Sequence, residues 1–142
     1  MLSTAQQPAQ QVAFTAYADS SRYYNDLGIK IEFDGVITNI GGHFDNSTTF
    51  TCPVDGLYYF SFHVMSHDSV YDSKVSLMLG GTRVVSAWAD HHVTGHHAQA
   101  SNSALVVCSA GQDVYLMTNS NTYVYSNSLE ISTFSGFLVS EN

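Results

Sequence analysis

The stretch Phe50-Thr51-Cys52-Pro53-Val54-Asp55-Gly56-Leu57-Tyr58-Tyr59-Phe60-Ser61-Phe62 decides the fold. Phe50 and Cys52 alternate with Thr49 and Thr51, so one face is apolar and the other hydroxylic. Pro53 removes a backbone donor and helps end that strand. Asp55-Gly56 supplies turn chemistry. Tyr58, Phe60 and Phe62 then recur at period two and place large rings on one face of a second strand. The stretch reads as strand, turn, strand, and no other segment carries as much apolar surface in so few residues.

Outward from it, the chain keeps the same texture. Its 142 residues suit one domain with a sizeable core. Aromatic residues, Ser, Thr, Asn and Gly are frequent, which favours strands and tight turns over helices. Residues 1–11 have no period or anchor and read as a flexible tail, with the globular domain spanning residues 12–142. Val12 to Tyr17, Ile29 to Phe33 and Val36 to Ile40 alternate as strands, with a turn at Asp34-Gly35 and a close at Gly41-Gly42. Val75 to Leu79 and Arg83 to Trp88 flank the hairpin signal Gly80-Gly81. Ser103 to Cys108, Asp113 to Thr118 and Leu129 to Val139 complete the set, and Ala18 to Gly28 and Asn119 to Asn127 read as polar loops. The prediction is an all-β domain: a two-sheet sandwich of about ten short antiparallel strands, or a barrel, with no helix.

Charge narrows the function. The net charge is −8, and the four basic residues Arg22, Lys30, Lys74 and Arg83 are scattered, so no nucleic-acid partner is expected. No apolar run approaches the ~20 residues that cross a bilayer, so membrane insertion is not expected. Met1 to Gln6 lacks the basic start and apolar core of a signal peptide. Asn46-Ser47-Thr48 is a glycosylation sequon, used only if the chain is secreted. No Gly-X-Y repeat occurs, hence no collagen stalk within these residues.

Several stretches together resemble the globular-head family of complement component C1q, in the jelly-roll superfamily that includes tumour necrosis factor. They are Val12-Ala13-Phe14-Thr15-Ala16, Phe33-Asp34-Gly35-Val36 through Asn39, Phe44-Asp45, Phe50-Thr51-Cys52-Pro53, Gly56-Leu57-Tyr58-Tyr59-Phe60, Leu105 with Gly111, Asp113-Val114 and Leu116, and Phe134-Ser135-Gly136-Phe137-Leu138-Val139. One departure stands at Thr48, where the family commonly has Gly, so a different local turn is expected. The resemblance implies a jelly roll that assembles as a compact homotrimer, secreted, acting in recognition or signalling and not as an enzyme. Stand-alone heads without a stalk are common among invertebrate immune lectin-like proteins, which implies a microbial surface carbohydrate or similar ligand. A protein receptor, or a metal carried in body fluid, are the alternatives.

Three residue sets are candidates for chemistry. Asp90-His91-His92-Val93-Thr94-Gly95-His96-His97 holds four of the seven histidines. Imidazole ligates borderline metals, yet no fixed zinc spacing is matched, and a solvated polar loop is the plain alternative. In some members of the family, calcium is held at the trimer apex by acidic and amide groups of this loop. Asp90 falls on one such position and Gln99 is retained, while Ala98 replaces an acid and His91 stands where an amide is common. The resemblance therefore implies weakened calcium binding, with zinc or a pH response as substitutes. Tyr23, Tyr24, Tyr71, Tyr123 and Tyr125 lie in polar stretches suited to sugar faces, with Arg22 available to an anionic group, or else they pack an interface. Cys52 and Cys108 face the core by alternation and read either as a disulfide or as buried free thiols. His63, Ser66, His67 and Asp68 cluster in sequence, but no nucleophile elbow Gly-x-Ser-x-Gly accompanies them, and no catalytic residue is assigned.

Overall fold

A computed structural model of the chain describes residues 10–67, 72–90 and 95–142. Among these it is all-β, with eleven strands: β1 Ala13–Tyr17, β2 Arg22–Tyr24, β3 Gly35–Ile40, β4 Thr49–Thr51, β5 Gly56–Met65, β6 Ser73–Leu79, β7 Thr82–Ala89, β8 Gln99–Cys108, β9 Asp113–Thr118, β10 Thr122–Val124 and β11 Thr133–Glu141. One sheet runs β3-β1-β11-β5-β8, a second runs β4-β9-β6-β7, and β10 pairs with β2 in a separate ribbon. All pairings are antiparallel. The two large sheets face each other across a single aromatic core, as a jelly roll requires.

The deciding stretch does more than form two strands. β4 and β5 are not partners: β4 bonds β9, and β5 bonds β11 and β8. Phe50 to Phe62 therefore steps from one sheet to the other. The corner is pinned by Tyr58, whose hydroxyl donates to the Val54 carbonyl at 2.7 Å. Both ends of the step then feed one core. Phe14 stacks on Phe44 and Phe50 at 5.0 and 4.9 Å and meets Phe134 edge-on at 4.9 Å. Tyr58, Phe60, Phe62 and Val64 are fully buried from the facing side of β5. Burying each such ring is worth about 1.5–3 kcal/mol.

Two glycines read as turn residues have another job. Neither Gly35 nor Gly56 has positive φ. Gly35 opens β3 beneath the Tyr17 ring, and a Cβ there would meet Tyr17 Cζ at 2.1 Å. Gly56 opens β5, where a Cβ would meet the Ser140 carbonyl oxygen at 2.5 Å. Both are places of close approach, not of reversal.

Other expectations shift in detail. Ile29 to Phe33 alternates in burial as predicted but, among the described residues, makes an isolated bridge, Lys30 to Met117, before Phe33 N–H turns to the Ser47 carbonyl. The turn at Thr48 forms without glycine: Asp45 Oδ1 accepts the N–H groups of Ser47, Thr48 and Thr49 at 2.9, 2.8 and 3.0 Å. Its left-handed residue is Asn46, at φ 63°, a residue type that tolerates that region. β8 starts four residues before Ser103, and β11 starts at Thr133 because 127–132 turn through Glu130 at φ 52°. The two polar loops are not wholly irregular, since each contributes one strand of the β2–β10 ribbon. Of the predicted tail, residues 1–9 lie outside the described residues; Val12 is already buried in the core.

Candidate functional site

The ribbon brings two sequence-predicted sets together at one end of the sandwich. Tyr23 sits opposite Tyr123, and Arg22 opposite Val124. Tyr125 N–H bonds the Met65 carbonyl at 2.8 Å, which fastens β10 to the end of β5. The His67 ring meets Tyr123 edge-on at 4.7 Å, and the His97 ring lies 4.1 Å from Tyr125. His97 Nδ1 stands 2.8 Å from the Ser66 carbonyl oxygen. A carbonyl can only accept, so Nδ1 carries the hydrogen, and Nε2 of the neutral ring keeps its lone pair. The arrangement is a shallow edge of aromatic faces and ring nitrogens.

Not every predicted contact residue belongs to it. Tyr24 is 5% exposed, and its hydroxyl accepts the Glu32 N–H at 3.0 Å. Burial pushes its phenol above the ordinary tyrosine range, and it is a core residue, not a ligand contact. Arg22 is ion-paired with Glu32, so its charge is already met. Tyr71 lies outside the described residues.

His91 and His92 of the predicted metal set also lie outside the described residues. Asp90 and His96 are exposed, and Gln99 Nε2 donates to the Ile131 carbonyl at 3.3 Å. Among the described residues no three His, Cys, Asp or Glu side chains gather to hold a metal.

Cys52 and Cys108 are at the other end, just past β4 and at the end of β8, and both are buried and unbridged. Cys52 carries the β4–β9 pairing into the turn after β8: Cys52 N–H bonds the Gln112 carbonyl at 2.9 Å, and Gly111 N–H bonds the Cys52 carbonyl at 2.8 Å. The thiols touch. Donation from Cys52 to Cys108, with burial, pushes Cys52 far above the ordinary thiol range, and the same contact lowers Cys108. Thiols so shielded should resist alkylation in the folded chain and both react after unfolding in urea. An unfolded chain that takes no label until reductant is added would show a disulfide instead.

The outer face of the five-stranded sheet is zoned. Register places Ile40, Ala13, Phe137, Tyr59 and Leu105 in one row across the five strands. The next row is hydroxylic throughout: Thr38, Thr15, Ser135, Ser61 and Ser103. Thr15 and Ser135 are hydrogen-bonded at 2.9 Å, and a depression of about 280 Å³ opens beside them. Leu105 and Val107 are 63% and 68% exposed, and Phe137 is 45% exposed. An apolar row this wide is unusual on a surface that faces only water.

The matching family model describes the C1q domain and covers residues 13–139. The chain belongs to the C1q domain family. Complement C1q tumor necrosis factor-related protein 3 of Homo sapiens is 34% identical over 135 residues, covering 94% of this C1q chain and 53% of that protein. Danio rerio Caprin-2 is 35% identical over 130 residues, covering 91% of this chain and 14% of that one. The chain thus spans about half the length, or less, of these curated relatives. In structure it matches the globular domain of zebrafish complement 1qA at a TM-score of 0.70 and 20% identity, over 92% of this chain and 99% of that one. Murine APRIL at pH 8.5 matches at 0.70 and 8%, over 91% and 99%. At such identities the likeness is one of fold.

Sequence reasoning missed the exposed row of the C1q domain because alternation was used only to find the core face. The signal was in the run Ala104-Leu105-Val106-Val107, apolar on both faces of one strand.

Proposed function

We propose that this C1q domain is a secreted, non-enzymatic recognition module that associates as a homotrimer and binds a surface carbohydrate or similar polymer of microbes. The observation that carries the reading is the apolar row on the five-stranded sheet, which a second and third copy would cover. Association through that face leaves the β2–β10 ribbon and the four-stranded sheet open to solvent. Three weak sites on one assembly then gain avidity that one site lacks. Tyr23 and Tyr123, paired across the ribbon, offer faces and hydroxyls for sugar rings. A glycan array tests the reading, run with calcium, with zinc and with chelator. The expected result is binding to a defined glycan class; a metal role for the loop from Asp90 to His97 is read from the difference between arms. Failure to bind any glycan under all three conditions contradicts the carbohydrate assignment.

A second reading, a signalling or structural trimer that binds a protein receptor, draws on the fold shared with murine APRIL and with Eiger TNF of S. frugiperda. It predicts a protein partner retained in the presence of competing sugar.

A further inference from the structure

The outer face of the four-stranded sheet carries an organised polar site that none of the candidate residue sets includes. Lys74 on β6 and Trp88 on β7 are register partners. The Lys74 ammonium lies 4.3 Å from the centre of the indole. Trp88 nevertheless remains 60% exposed. One step along the strands, Ser76 is opposite Ser86. A shallow depression of about 190 Å³ is lined by Lys74, Ser86, Ala87, Trp88 and Asn119.

Hydrogen-bond valence says what this depression offers. Ser76 Oγ stands 3.0 Å from Arg83 Nε and 2.5 Å from Asn119 Nδ2, both donors, and 2.7 Å from Ser86 Oγ. A hydroxyl accepts two bonds and donates one. Ser76 therefore spends its only hydrogen on Ser86, and the Ser86 hydrogen is left to point into the depression. Arg83 is fixed a second time by Nη2 donating to Asn119 Oδ1 at 2.7 Å, and among the described residues its Nη1 has no partner. The depression then presents Ser86 O–H, the Lys74 ammonium and the Asn119 amide, whose Oδ1 already accepts from Arg83, a residue outside the lining. The Lys74 ammonium is its cation in a chain of net charge −8. The acidic group at hand is Asp72, whose Oδ2 is 3.5 Å from Trp88 Nε1, on the indole edge.

A cation and a free hydroxyl donor beside an exposed indole suit an acceptor-rich anionic group attached to a ring with an apolar face, held away from the Asp72 edge. We propose that Lys74, Ser86 and Trp88 form a subsite for a pyranose bearing a carboxylate, with the sugar's C–H face on the indole and its carboxylate on the Lys74 ammonium and the Ser86 hydroxyl. The ordered network of Ser76, Arg83 and Asn119 holds Ser86 in place before binding, which lowers the entropic cost. The proposal rests on the carbohydrate reading above and names the class of sugar.

Trp88 is the chain's single tryptophan, so its emission reports on this site alone. The folded chain is titrated with uronate- and nonulosonate-terminated oligosaccharides and with neutral oligosaccharides of the same length, while calorimetry records total binding. The expected result is a saturable change in emission with a carboxylated sugar, about tenfold or more weaker in Lys74→Met, which keeps the stem and loses the charge. Ser86→Ala, which leaves the Lys74 charge, weakens it several-fold. Calorimetric binding of carboxylated sugar with no change in Trp88 emission, and with Lys74→Met unaffected, overturns the subsite and leaves the carbohydrate reading standing. Neutral sugars that move the emission as strongly overturn the carboxylate. No calorimetric binding of either kind overturns the subsite and the carbohydrate reading together.

Discussion

Phe60→Ala should destabilise the folded domain by about 3–5 kcal/mol. The ring is fully buried at the middle of β5 and lies within 5.7 to 6.5 Å of the Phe14, Phe50, Tyr58 and Phe134 rings. Those four come from both sheets and from the step between them. The residue paired with it on β11 is Gly136, where a Cβ would stand 2.4 Å from Phe60 Cδ1. Glycine has no side chain to swing into a vacated space, so the cavity left by alanine closes poorly, and the cost belongs at the upper end of that range. Denaturant unfolding of the variant checks the size, and a thermal midpoint lower by roughly 10 °C or more is the companion result. A loss below about 1 kcal/mol would mean that the packing described for β5 is wrong. Binding should be affected only through the folded fraction, since the Phe60 ring is fully buried.

Leu105→Glu should have the opposite signature. Leu105 is 63% exposed and faces away from the core, so the protomer should keep its stability to within about 0.5 kcal/mol. Its row, however, runs through Tyr59 and Phe137 to Ile40 across the whole sheet. In the proposed trimer a glutamate here is buried without a partner three times over, at several kcal/mol each. The expected result is a folded single chain by light scattering, with an unchanged far-ultraviolet spectrum. A variant that associates like the parent would show that this face is not the interface. The pair of substitutions separates the two faces of the same sheet: Phe60 acts on folding and Leu105 on association.

The fold was legible because period-two alternation directly encodes which face of a strand is buried. Phe14, Phe33, Phe50, Tyr58, Phe60, Phe62 and Phe134 all lie where alternation puts them. Partnership was not legible in the same way. Nothing local in Pro53 to Gly56 states that β4 and β5 join different sheets, because that is decided by β9 and β11, far along the chain. Glycines were misread for a related reason. Gly35 and Gly56 look like turn residues, but their need is space beneath Tyr17 and beside Ser140, which only tertiary structure creates. The ribbon strands, three residues each, are too short for any period to appear.

The site was less legible than the fold. Tyr23, Tyr123 and Tyr125 do gather at one end with His67 and His97, though no spacing rule links residues so far apart in sequence. Tyr24 differs from its neighbour Tyr23 only by the strand's alternation, which turns one ring out and the next into the core. The Lys74 and Trp88 surface escaped notice because its two residues lie on different strands and meet only through the β6–β7 hairpin.

The central claim is that the apolar row on the five-stranded sheet is covered by further copies of the chain. Sedimentation equilibrium of the unmodified protein at micromolar concentration tests it most directly. The account predicts a single species of three times the 15.5 kDa chain mass. A species of one chain mass, with Leu105, Val107 and Phe137 left bare to solvent, would contradict it.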